Sequence, residues 1–181
     1  MIMNRYTLLF QKGSGRVVDS FSKWGIVCCK VPFSVGGKTK EPAKRNWLDE
    51  HGDDAYLPKK LMFESSEVEF TLAYKGQELA TNPFNLSLAV TQIDAFKKWL
   101  TGNDTQNGSG SELKIYSPYS ALGRQKCYLM EISNEEPYLM TKQQGGNLYN
   151  ENVVEFKVKF KVTDPVTNIT LTESSSSSSS D

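Results

Sequence analysis

The run VVEFKVKFKV constrains this chain more than any other stretch. It sets Val154, Phe156, Val158, Phe160 and Val162 in one phase and Glu155, Lys157, Lys159 and Lys161 in the other. Successive side chains of a strand leave on opposite faces, so a period of two this long demands a β-strand with one face in a core and the other in water or against a neighbour. The segment SEVEFTLAY repeats the pattern through Val68, Phe70, Leu72 and Tyr74. Further strands are expected at RYTLLF, GIVCCKV, ELKIYS and QKCYLMEIS, with breaks at the Gly-, Pro- and Asn-rich stretches between them.

One segment departs from that period. TQIDAFKKWL spaces Ile93, Phe96, Trp99 and Leu100 as one face of a helix. Thr91 is the expected N-cap with Asp94 three residues on, Lys97 and Lys98 suit the C-terminal half, and Gly102 supplies the left-handed residue beyond it. The expectation is a helix of about three turns laid on a sheet. The fold class is therefore mainly β (α+β), an antiparallel sandwich or barrel-like sheet with one flanking helix. With 181 residues, residues 1–172 are read as a single β-rich domain, and the Ser-rich 173–181 as a disordered tail that can bury nothing. The polar loops 36–58 and 101–110 are expected to need partners to order them.

Charge and cysteine usage exclude several functions. Lys+Arg and Asp+Glu are both 21, so the chain has no net field with which to attract nucleic acid or an anionic membrane, and neither partner is expected. The opening MIMNRYTLLF lacks the apolar core and cleavage pattern of a signal peptide, which implies synthesis in the cytoplasm. Cys28, Cys29 and Cys127 show neither CxxC spacing nor an even count, so no disulfide framework or zinc site is expected. The only histidine, His51, sits in WLDEHGDD among acids that lack the alternate spacing of a calcium loop. That stretch reads as a surface turn with Gly52 at positive φ, and no metal is expected there. A Ser or Cys triad would need that histidine beside a nucleophile, and no Walker or G-x-S-x-G sequence is present, so no catalytic residue, enzyme activity or cofactor is expected.

The order SFSKWGI, a strand ending at Pro32, a basic link into NWLDEHGDDAYLP and then FESSEVEFTLAYKG resembles the N-terminal domain of phage distal tail proteins. TQIDAFKKWLTG and ELKIYSPYSALGRQKCYLMEIS continue the likeness to roughly residue 134. Where that family commonly has Pro-Gly-Arg-Asp-Gly, this chain has Glu50-His51-Gly52-Asp53-Asp54. The resemblance implies a structural virion or prophage component, a distal-tail or tube-like ring subunit joining tail tube and baseplate. Its implied partners are copies of itself in a ring, a hexamer being one candidate, and other tail proteins. Its implied place is the virion tail, after synthesis in the host bacterial cytoplasm.

The charge pattern suggests where such a subunit makes contact. Lys38, Lys40, Lys44 and Arg45 open the link, and Asp49, Glu50, Asp53 and Asp54 close it, offering opposite signs for head-to-tail pairing. The run Ile26 to Val31 is apolar in both phases and is expected to need cover on both faces. Gly25 is expected to allow a bend or a close approach. The competing reading is a monomeric β module for a small ligand or carbohydrate, with Trp24, Trp47 or Tyr116, Tyr119 and Tyr128 near Arg124 as a stacking platform.

Overall fold

The computed structural model describes residues 6–33, 36–46, 48–49, 51–75, 86–105, 110, 112–144 and 147–173. Seven antiparallel strands form the main sheet: β1 (Leu9–Lys12), β2 (Val18–Asp19), β3 (Ile26–Lys30), β6 (Ser66–Tyr74), β7 (Leu113–Ser117), β8 (Leu122–Gln144) and β9 (Asn147–Val162), in the order β2-β1-β7-β8-β9-β6-β3. The short strands β4 (Lys44–Asn46) and β5 (Asp53–Ala55) form a separate hairpin. Two helices complete the set, α1 (Ser20–Trp24) and α2 (Leu86–Thr101). The expected fold class is the one found, and no described helix is long and apolar enough to cross a membrane.

The two long alternating segments pair along their whole length, from Ser66↔Val162 to Tyr74↔Val154. That register puts Phe70, Leu72, Val154, Phe156, Val158, Phe160 and Val162 on one buried face. The sheet curls until its two edges meet. Cys28 N–H donates to Tyr6 O at 2.6 Å, and Ser20 Oγ donates to Ile26 O at 2.9 Å while accepting from Leu8 N at 3.0 Å. One buried hydroxyl thus fastens the start of the chain to the edge strand, which is why a serine can sit fully buried.

Helix α2 lays Ala89, Ile93, Phe96, Trp99 and Leu100 into this core. Phe96 meets Phe10 (5.6 Å), Trp24 (5.0 Å) and Phe156 (6.3 Å) edge to face, the geometry that aromatic quadrupoles favour. The helix starts at Leu86, earlier than expected, so Thr91 lies in its interior and is not its N-cap. Asp94 pairs one turn on with Lys98 at 2.6 Å instead of closing a capping box. The end falls as expected: Gly102 N–H donates to Trp99 O (3.2 Å) and Asn103 N–H to Lys98 O (2.8 Å), a Schellman closure.

Helix α1 corrects the one-helix expectation. Asp19 accepts from Phe21 N (2.7 Å) and Ser22 N (2.8 Å) as an N-cap, and Gly25 at φ 69 accepts the left-handed position that closes the turn. Gly25 therefore ends a helix rather than bending a strand. A second correction concerns β3. Ile26 and Cys28 are buried and Val27 is half-buried, but Cys29 and Lys30 are exposed: the core covers only the inner face of the sheet, and the pairing with β6 shifts register between Cys28 and Lys30. A third concerns the link read as a loop: it contains the β4–β5 hairpin. Met1–Arg5, Trp47, Glu50, residues 106–109 of the 101–110 loop and residues 174–181 of the Ser-rich tail lie outside the described residues.

Candidate interaction surface

Between Val31 and Ser66 the chain leaves the sheet and returns as an arm. Lys40 N donates to Met62 O and Glu64 N to Lys38 O, both at 2.7 Å, around a bridge between Thr39 and Phe63. Further out, Tyr56 N donates to Ala43 O at 2.8 Å and β4 pairs with β5 as Lys44↔Ala55, Arg45↔Asp54 and Asn46↔Asp53. Gly52 has the expected positive φ, 91, in the turn at the tip. The root is anchored by Phe33, whose ring meets Phe70 edge to face at 5.1 Å.

Apart from the half-buried Pro42, every described residue from Gly36 to Phe63 is exposed. These include Leu48, Tyr56, Leu57, Leu61, Met62 and Phe63, with Leu48 at 106% relative exposure. Single exposed apolar residues are ordinary on a protein surface; six on one solvated arm are not.

The eight charged residues singled out from sequence fall on this arm, with Glu50 outside the described residues. The structure brings some of them together within the chain. Lys44 lies 2.8 Å from Glu41 and 3.6 Å from Asp53, and Lys38 lies 3.0 Å from Glu64. The hydrogen bond between Glu41 and Lys44 pulls the carboxyl below its usual range and raises the ammonium. Such pairs in water contribute little to stability. Among the described residues, Lys40, Arg45, Asp49 and Asp54 make no ion pair, though Arg45 stands directly across from Asp54.

The outer face of the main sheet carries a second charge pattern. Lys157 reaches Glu69 (3.3 Å), and Lys159 and Lys161 both reach Glu67 (2.7 and 3.2 Å). Both lysines hydrogen-bond Glu67 and depress its carboxyl. The face is therefore charged in detail and close to neutral in sum.

Other sequence candidates resolve differently. His51 is exposed in the tip turn, and no group of three His, Cys, Asp or Glu among the described residues is placed to hold a metal. Burial pushes the Cys28 and Cys127 thiols up to about 12, so both stay protonated at neutral pH. Trp24 lies in the core and cannot serve as a ligand platform, which corrects that part of the binding-module reading. Arg124 is buried, donating to Gly123 O at 2.9 Å with its guanidinium 5.8 Å from the Phe33 ring. Tyr119 stacks on Tyr6 at 5.9 Å, and Tyr128 is half exposed. Sequence reasoning missed the apolar side of the arm. Its signal was there: LPKKLMF has neither helical nor strand periodicity, so it offers no face to a core.

No family model and no curated protein matches the chain. Among solved structures it is similar to the SPP1 Dit (gp 19.1) protein, described as a paradigm of the hub adsorption apparatus in phages infecting Gram-positive hosts. The TM-score is 0.49 at 11% identity, over 87% of this chain and 50% of that one. The chain thus spans about half the length of that protein.

Proposed function

We propose that this protein is a structural subunit of a phage tail, a distal-tail or tube-like ring component that joins tube and baseplate through protein–protein contacts and carries out no catalysis. The observation that supports this best is the arm, six of whose large apolar residues remain exposed among the described residues. A solvated ribbon with six large exposed apolar side chains is kept for a partner to cover. The order of sequence segments from roughly residue 19 to 134 supplies the tail context. In a ring, the neutral, charge-paired face of β6 and β9 would line the lumen while the curled core packs behind it.

The test is to replace Lys40–Met62 with a short Gly-Ser linker and compare sedimentation and thermal melting with the intact chain. The replaced segment, 40–62, contributes nothing to the core, so the melting temperature should hardly move while higher oligomers, or incorporation into tails, disappear. A variant that unfolds, or that assembles as well as the intact chain, refutes the role given to the arm.

A further inference from the structure

We infer that the acidic tip of the arm docks on a second copy of this chain, at a basic patch formed by Lys12 and Lys23 over the Trp99 indole. This rests on the assembly reading above and names the two surfaces that meet. Between Glu41 and Asp54 the sequence holds five acids against two bases, so the tip is acidic even after Lys44 has neutralised part of it. Asp49 and Asp54 are exposed, and Leu48 projects fully into solvent beside them.

The acceptor is built by three elements. Lys12 ends β1 and its Nζ lies 4.6 Å from the Trp99 ring centroid; Lys23, in the last turn of α1, lies 5.4 Å from the same ring and 4.8 Å from Trp24. The ring quadrupoles hold both ammonium groups in place without neutralising them. Among the described residues neither lysine makes an ion pair. Burial lowers the proton affinity of Lys23, the Lys12 charge adds to that, and Asp104 opposes it. Two cations fixed on one indole favour an incoming carboxylate, while the lysine stems offer methylenes for Leu48 to cover.

Topology makes the contact one between copies. The arm leaves from the Lys30 end of β3, whereas Lys23 and Gly25 precede its other end at Ile26. Cys28 faces Tyr6, and β1 runs from there away toward Lys12, so the patch lies at the opposite end of the curled sheet from the root of the arm. From the Thr39 bridge to Leu48 the chain spans up to about 30 Å, enough to cross to a neighbour. Donor and acceptor on opposite ends of one subunit make a heterologous contact, the kind that closes rings or stacks them.

Charge exchange in the full chain tests this by sedimentation velocity over a concentration series. Lys12→Glu with Lys23→Glu, and separately Asp49→Lys with Asp54→Lys, should each raise the concentration needed for assembly by about tenfold or more, since like charges then meet. All four together should restore it. The arm variant cannot disturb the core, so it keeps the test valid if the lysine variant folds poorly. Assembly that is unchanged by the arm reversal, or a folded four-fold variant that stays monomeric, overturns this interface and leaves the tail reading standing. An unmodified chain that remains monomeric at millimolar concentration overturns this contact between copies, while loss of tail incorporation on removal of the arm is what tests the tail reading.

Discussion

Replacing Trp99 with alanine tests whether α2 is part of the core. The indole is 7% exposed, meets Phe10 at 6.2 Å and Trp24 at 5.3 Å, and carries Lys12 and Lys23 on its face. Truncating a buried Trp to Ala costs about 3–5 kcal/mol, combining lost transfer energy with the cavity left behind. Lost aromatic pairing, about 0.5–1.5 kcal/mol, places this case in the upper part of that range. Urea unfolding followed by circular dichroism reads the effect directly: with a slope of about 2 kcal/mol per molar, the midpoint should fall by about 2 M. Lys98→Ala is the matched control, because its pair with Asp94 is exposed and worth about 0.3–0.5 kcal/mol. Equal, small shifts in both variants would mean that the helix does not pack on the sheet, and the account of the core would fail.

Two further outcomes follow from particular side chains. Asp19→Ala removes the acceptor for Phe21 N and Ser22 N and should destabilise by about 0.5–2 kcal/mol in the same assay, with Asp19→Asn recovering most of it; no loss would mean that α1 does not depend on its cap. Asp164 accepts from Gln125 Nε2 at 2.8 Å and from the Val166 and Thr167 amides. The Gln125 bond does most to depress its carboxyl from 3.8 to about 2. Because the folded value is the lower one, its contribution is complete above about pH 4 and is lost as pH falls toward 2. Asp164→Asn should therefore weaken the fold at pH 7 and bring variant and parent together near pH 2; a gap that persists there would contradict the linkage.

Local chemistry alone determined much of this protein. The period of two in VVEFKVKFKV and SEVEFTLAY specified strands and their buried faces, because an apolar stripe beside a charged one has a single stable way to lie on a core; that the two pair with each other was decided by the sheet. Phe96, Trp99 and Leu100 announced the core face of α2, and Gly102 its end. Even the helix overlooked at Asp19–Gly25 carried its cap and its left-handed stop in the sequence; a single turn is too short for periodicity to reveal. Tertiary structure alone decided the rest. Whether the outer side of Ile26–Lys30 would find cover depended on how the layers stack, and Cys29 meets solvent because nothing among the described residues packs on that face. The meeting of Lys12, Lys23 and Trp99 depended on the curl that brings β1, α1 and α2 together. The exposure of Leu48 and Tyr56, outside LPKKLMF, was equally hidden. Hydrophobicity states what a residue costs to leave in water, but only the path of the chain settles whether anything in its own fold can cover it.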